Sequence, residues 1–213
     1  MSVAVKICGL ATADAVAAAV QHGARFVGFV FYGPSRRNVT PALAGRLAAV
    51  VPAGIAKVGL FVDAGDAEIA AVLDRAPLDL LQFHGKESPE RVSAVKRRFG
   101  KPVMKAISVA AEADLAQAQR YVGAADRLLF DAKPPPDATV PGGNGLVFDW
   151  QLMGVRRWPL PWMLSGGLTV ENLADAVRIT HAEAVDVSSG VEGAPGIKDL
   201  DKIAGFLARA RAL

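Results

Sequence analysis

AVDVS, residues 184–188, is the last of eight β-rich runs in this chain, and a count of eight separates a closed barrel from an open sheet. Val185 and Val187 fall on one face of the run, Ala184, Asp186 and Ser188 on the other. Seven similar runs precede it: 3–8 (VAVKIC), 26–31 (FVGFVF), 56–62 (AKVGLFV), 79–83 (DLLQF), 102–107 (PVMKAI), 127–131 (RLLFD) and 161–165 (PWMLS). The segments at 12–22, 41–51, 66–76, 88–98, 110–120, 146–154, 170–179 and 199–211 are rich in Ala, Leu, Glu, Gln and Arg, which favour helix. Thr12, Thr40, Asp66 and Ser88 stand where helix caps are expected, and Pro41 and Pro89 fall in first turns, where a missing N–H costs little. This alternation predicts a parallel sheet, and eight units predict an α/β fold of the (β/α)8 TIM-barrel type, one domain over residues 1–213. A doubly wound open sheet is the rival, disfavoured because no dinucleotide-binding glycine pattern follows the first strand.

The composition narrows the function classes. Apolar residues make up 52% of the 213 and charged residues 21%, enough to bury one sizeable core. The formal net charge of +3 suits a small anionic substrate. No block of lysines and arginines with interleaved aromatics points to nucleic acid. A single cysteine cannot form an internal disulfide, which fits a reducing compartment. The start MSVAVKICG lacks a signal-peptide pattern, and no apolar run reaches the roughly 18 residues of a membrane span. The expectation is a cytoplasmic, soluble protein with no membrane partner, as a monomer or homodimer.

Alternation sorts the candidate site residues. Val3, Val5 and Ile7 should lie under the helices, leaving Ala4, Lys6 and Cys8 to face the barrel interior. Leu129 and Asp131 should likewise face inward, so Cys8 and Asp131 would both reach the mouth from well-separated strands. Closure sets the eighth strand beside the first, which predicts a Lys6–Asp186 ion pair, since neither charge is cheaply buried alone. The same ammonium would favour a Cys8 thiolate. Taken singly, Cys8 also reads as a small core residue and Asp131 as a local backbone cap. His84 ends a strand in LQFHG and is a candidate lining residue; His22 and His181 read as helix-end residues, and the three show no metal-ligand spacing. LSGGL at 164–168 and SSGVE at 188–192 follow the last two strands, where glycines let backbone N–H groups surround an anion, although plain turns would look the same. Two long connections, YGPSRRNVTP after the second strand and AKPPPDATVPGGNG after the sixth, fall on the side where barrel sites are built. One of Arg36 and Arg37 in the first could grip a carboxylate, the other remaining solvated.

KICGL (6–10), GFVFYGPSRR (28–37), VGLFV (58–62), LLQFHG (80–85), LFDAK (129–133), GGNGLVFDW (142–150), LSGGL (164–168) and VDVSSGVEGAPGIKD (185–199), in that order through nearly the whole chain, resemble the phosphoribosylanthranilate isomerase family of tryptophan biosynthesis. The resemblance implies a single (β/α)8 barrel that rearranges N-(5-phosphoribosyl)anthranilate, a phosphorylated aminosugar, without cofactor or metal. It further implies Cys8 as general base, Asp131 as general acid and Arg36 as the carboxylate contact. Gly166, Gly167, Ser189 and Gly190 would bind phosphate, with Lys6, Asp186 and His84 in support. The chain departs from the family pattern at Asn144, where GGTG is common, and at Phe83, where QLHG is. The rivals are another phosphosugar isomerase or epimerase barrel and a non-catalytic barrel serving as a binding module.

Overall fold

The computed structural model describes residues 3–135, 137–138, 140–154 and 157–213; Pro136 and Thr139, in the long connection after the sixth strand, lie outside the described residues. Eight parallel strands close into a barrel in chain order. They are β1 (Ala4–Cys8), β2 (Phe26–Phe31), β3 (Ala56–Phe61), β4 (Leu80–Phe83), β5 (Val103–Val109), β6 (Arg127–Ala132), β7 (Trp162–Leu164) and β8 (Ala184–Val187). The closing pair β1–β8 sets Lys6 directly opposite Asp186.

The helices between them are α1 (Ala13–Gln21), α2 (Pro41–Ala49), α3 (Asp66–Leu73), α4 (Pro89–Phe99), α5 (Glu112–Gln119), α6 (Gln151–Gly154), α7 (Leu173–Thr180) and α8 (Leu200–Arg211). Thr12, Thr40 and Ser88 cap α1, α2 and α4 by accepting from the N–H groups of Ala15, Leu43 and Arg91. Asp66 does not cap α3: Gly65 is the cap residue, and Asp66 opens the helix with its carboxylate held by Arg91 and Arg98. An acid in a first turn still complements the helix dipole, so the sequence signal was real but one position off. His22 and His181 occupy the C-caps of α1 and α7, as expected.

The helix expected over 146–154 is the largest difference. Only the single turn of α6 forms, and Leu146 and Val147 instead cross the loop after β7. A Cβ on Gly167 would stand 2.6 Å from Val147 Cγ2 and 2.8 Å from the Leu146 carbonyl carbon, so a side chain at 167 would push this crossing away. A further unpredicted feature follows β8: a 3-10 turn at Ser189–Val191 leads into a small antiparallel hairpin, β9 (Glu192–Ala194) and β10 (Ile197–Lys198).

Strand alternation divides the core into an outer layer and a barrel interior. Val5, Ile7, Phe29, Phe83, Leu128 and Phe130 join the large cluster between sheet and helices. Val58, Leu80, Met104, Ala106, Leu129, Met163 and Ala184 fill the barrel interior. A third, smaller group at the interior's upper end contains Cys8, Val30 and Leu60. This packed floor excludes water from beneath the barrel mouth and fixes the side chains that rise into it.

Candidate active site

Lys6 is the first polar residue of the barrel interior. Its side chain is completely buried, and its ammonium donates to Asp186 Oδ1 at 2.8 Å. Ser165, at the end of β7, donates to the other carboxylate oxygen at 3.4 Å. Burial alone would push the Lys6 ammonium down; the Asp186 carboxylate, assisted by Cys8, outweighs it and holds the lysine above its ordinary range. Gly28 on β2, opposite Cys8, makes room for this arrangement. A Cβ there would lie 3.2 Å from both the Cys8 Sγ and the Lys6 Cε, so thiol and lysine stem flank one glycine-sized gap.

Cys8 lines the cleft above, 4% exposed. Burial pushes its thiol up, and the opposing pull of Lys6 offsets only part of that. The expected downward shift is therefore not found: the low-dielectric site that strengthens the Lys6 interaction also penalises the thiolate.

Asp131, near the end of β6, faces the same cleft and is 4% exposed. Its Oδ1 accepts from the Ala132 N–H at 2.9 Å, and its Oδ2 stands 3.1 Å from His84 Nε2. The other ring nitrogen, Nδ1, meets Gln82 Nε2 at 3.1 Å. His84 is thus a lining residue, clamped between a core amide and the candidate acid. Gly142, from the loop after β6, covers this pair: a Cβ there would fall 2.7 Å from His84 Nε2 and 2.8 Å from Asp131 Oδ2.

The two adjacent arginines divide differently from the family-based expectation. Arg36 is exposed and packs beside Gly196, outside the cleft lining. Arg37 lines the cleft. The tight turn after β2, with Asn38 accepting from the Tyr32 N–H at 2.9 Å, aims residue 37 inward and residue 36 outward. The Arg37 stem crosses Gly9, where a Cβ would sit 2.6 Å from its Cδ; at φ +76° and this close approach, only glycine fits after Cys8. The guanidinium donates to both oxygens of Glu192, at 2.7 and 3.0 Å, and reaches the Gly143 carbonyl at 3.2 Å. Glu192 also accepts from Lys198 at 2.8 Å and from the Gly196 N–H at 3.0 Å. Burial would raise its carboxyl, but Arg37 and Lys198 override this and bring it down to about 2. Lys198 further donates to the Ser188 carbonyl at 2.9 Å, and the Ser188 hydroxyl to the Cys8 carbonyl at 3.1 Å. The hairpin therefore ties Arg37, the loop after β8 and the end of β1 into one rigid rim.

Gly166, Gly167 and Ser189 line the cleft beside this rim. Gly166 and Gly167 have φ of +92° and +59°, conformations that favour glycine. Gly190 is not a lining residue; a Cβ there would collide with the Leu168 carbonyl, so its glycine serves close packing of the last two loops. The cleft has apolar Val30, Leu60 and Val62 on one wall and the glycine loops on the other. Sequence reading missed Gln82 and the Glu192–Lys198 pair, and it left Arg36 and Arg37 as alternatives until the resemblance pointed to Arg36. For the Glu192–Lys198 pair, the only traces were SSGVE at 188–192, read for its glycine, and the GIKD run closing the resemblance.

Among the described residues no cluster of His, Cys, Asp and Glu is arranged to hold a metal ion, and no helix is long and apolar enough to cross a membrane.

Comparison with known proteins places this arrangement. Residues 5–209 match the family model described as N-(5'phosphoribosyl)anthranilate (PRA) isomerase. The N-(5'-phosphoribosyl)anthranilate isomerase of Rhodospirillum centenum is 59% identical over 214 residues, covering 100% of both chains. That of Paramagnetospirillum magneticum is 57% identical over 211 residues, 99% of this chain and 98% of the relative. The crystal structure of phosphoribosyl anthranilate isomerase from Thermotoga maritima superposes with a TM-score of 0.89 at 37% identity, covering 99% of this chain and 100% of that one. A phosphoribosyl anthranilate isomerase in complex with reduced 1-(o-carboxyphenylamino)-1-deoxyribulose 5-phosphate superposes at 0.86, with 35% identity and coverage of 99% and 100%. Full-length identity and fold agree, and the chain belongs to the N-(5'-phosphoribosyl)anthranilate isomerase family.

Proposed function

We propose that this chain rearranges N-(5-phosphoribosyl)anthranilate to 1-(o-carboxyphenylamino)-1-deoxyribulose 5-phosphate, with Cys8 as general base and Asp131 as general acid. The observation that carries the assignment of roles is the placement of Cys8 (β1) and Asp131 (β6) on separate strands of one cleft, with glycine loops and an arginine at its rim. The substrate's phosphate would lie against Gly166, Gly167 and Ser189, and its anthranilate carboxylate near Arg37, whose guanidinium Glu192 already orients.

The chemistry then divides between two proton transfers. Asp131 gives its proton to the ribose ring oxygen as the C1′–O bond breaks, and the anthranilate nitrogen's lone pair forms an iminium at C1′. The iminium acidifies the C2′ hydrogen, which the Cys8 thiolate removes as the electron pair moves into an enolamine. Tautomerisation gives the ketose. The iminium's positive charge, arising above Lys6, also favours the thiolate at the moment it is needed. Each transfer is worth about 10²–10⁴-fold in rate.

The test uses substrate fluorescence. The anthranilate signal decays when the purified protein is added, and the same gene restores growth to a tryptophan auxotroph lacking the isomerase. No decay in a correctly folded preparation overturns the reading; consumption of a different phosphosugar instead would favour the epimerase-type rival.

A further inference from the structure

Gln82 is an amide in a place made for apolar side chains. It projects inward from β4, wholly buried, one step above Leu80 of the interior core. Its Nε2 faces His84 Nδ1 at 3.1 Å, while its Oε1 is buried without a partner among the described residues. An unpaired buried amide oxygen costs about 1–3 kcal/mol, so its retention calls for an explanation.

The hydrogen-bond chain supplies one. With the amide NH2 toward Nδ1, that nitrogen must accept, and the imidazole hydrogen lies on Nε2. Nε2–H then donates to Asp131 Oδ2, whose Oδ1 already accepts from Ala132. Both carboxylate oxygens are acceptors in this arrangement, which describes an Asp131 without its proton. Rotating the Gln82 amide by half a turn reverses every polarity. Oε1 then accepts a hydrogen from Nδ1, Nε2 offers a lone pair, and the Asp131 carboxyl donates to it. The oxygen gains its partner only in this second arrangement, in which the NH2 gives up its own, so the amide costs a buried group in either state and the two states differ by the proton: the His84–Asp131 pair holds one more in the second.

We propose that Gln82 is a positioning residue whose amide, acting through the His84 ring, governs proton loading of Asp131. This rests on the acid role given to Asp131 above. The exchange is balanced: a proton taken up from solvent resides on the His84–Asp131 pair, and only the amide's orientation changes. The Gly142 backbone covers the Nε2–Oδ2 contact, and on the other side of the ring Nδ1 meets the wholly buried Gln82 amide. The charged and titratable groups around the pair are fixed from other elements. They are Cys8 and the Lys6–Asp186 pair from β1 and β8, Arg37 from the loop after β2, and the Lys105–Glu87 pair behind the end of β4. Asp63 and Tyr32 complete the set on the β3 and β2 sides.

The test reads the histidine directly. In ¹⁵N-labelled protein, His84 is assigned among the three histidines by its loss in His84→Gln, and its tautomer is followed from pH 5 to 9. The wild type at the alkaline end should show the Nε2–H form and gain Nδ1–H as the pair takes up its proton. Gln82→Glu, whose ionised carboxylate can only accept, should hold Nδ1–H through the range and move the titration of the pair upward by about one pH unit. Gln82→Met should move it downward and lower kcat about tenfold at neutral pH with little change in KM, recovering as the pH falls. A His84 signal with the same tautomer and midpoint in wild type, Gln82→Glu and Gln82→Met overturns the inference. Should Gln82→Met fail to fold, the opposite sign demanded of Gln82→Glu still decides it. Near-normal kcat in Asp131→Asn would instead remove the acid assignment while leaving the tautomer result to stand or fall alone.

Discussion

Two of the buried lysine–carboxylate pairs among the described residues, one inside the barrel and one outside it, differ in their surroundings. Lys6–Asp186 lies inside the barrel, joined at 2.8 Å, beneath the Cys8 thiol. Lys105–Glu87 lies outside it, joined at 3.0 Å, where β5 meets the start of α4. Lys105 also donates to the carbonyls of Gly85 at 2.7 Å and Phe83 at 3.3 Å, and stands 5.7 Å from the Tyr121 ring centre. Tyr121 in turn donates to the Glu87 carbonyl at 2.8 Å. Every donor of the outer ammonium is directed at backbone or Glu87, and burial still leaves that lysine below its usual range. The inner ammonium is held above its range by Asp186, with the thiol as its further neighbour. A buried ion pair by itself marks only a solved desolvation problem. The thiol beside the inner one is what distinguishes a site from a strut.

The strongest way to break this contrast is to remove the groups the inner pair would serve. Cys8→Ser and Asp131→Asn should each lower kcat by about 10²–10⁴-fold while changing KM far less, because a hydroxyl is a much poorer base and an amide carries no acid proton. Steady-state kinetics on folded variants check this, and near-normal kcat in either removes that residue's role.

Removing each lysine comes next. Lys6→Met and Lys105→Met both strand a buried carboxylate, and each should cost about 3–5 kcal/mol by denaturant unfolding. Only Lys6→Met should also slow the alkylation of the chain's single cysteine and shift its pH midpoint upward, since the ammonium's pull on the thiol is lost. Because burial outweighs the ammonium's pull, the base-dependent limb of kcat/KM in wild type should rise on the alkaline side of an ordinary thiol's titration, not through the neutral range. An unchanged alkylation midpoint in Lys6→Met would reduce the inner pair to a strut as well.

The contrast also shows what was legible in the chain before folding. Lys6, Asp186, Cys8 and Asp131 were readable because strand period and barrel closure fix both their face and their neighbours. Glu87 and Lys105 were not, since the outer layer depends on how a loop packs under a helix. Strand period could not sort Arg36 from Arg37, because adjacent loop residues have none, and the resemblance pointed to Arg36; one hydrogen-bonded turn does the sorting. The helix expected at 146–154 failed because Leu146 and Val147 find a better surface on Gly167 than on a helix face.

That arginine pair gives the third test. Arg37→Ala should raise KM about tenfold or more with a smaller change in kcat, as a lost charge-assisted contact would, whereas Arg36→Ala should leave both near wild type. A KM effect in Arg36→Ala alone would restore the assignment made from the family pattern.

The smallest effect concerns the rim's anchor. Glu192 falls from a usual 4.5 to about 2 because Arg37, Lys198 and the Gly196 N–H stabilise its charged form against burial. A carboxyl depressed on folding contributes stability that is complete above its unfolded value and lost as the pH falls through its folded one. The window is therefore roughly pH 5 down to about 2. The contribution should be on the order of 1–2 kcal/mol after allowance for solvent screening. Denaturant unfolding at pH 7 and pH 3 measures it. Wild type should lose more stability between those points than Glu192→Gln, which keeps the side-chain volume but has no proton to take up. Because Glu192 also aims Arg37, Glu192→Gln should raise KM by a smaller factor than Arg37→Ala. Equal acid sensitivity of wild type and Glu192→Gln would show the hairpin rim to be independent of this charge, leaving Arg37 positioned by Gly9 and the turn after β2 alone.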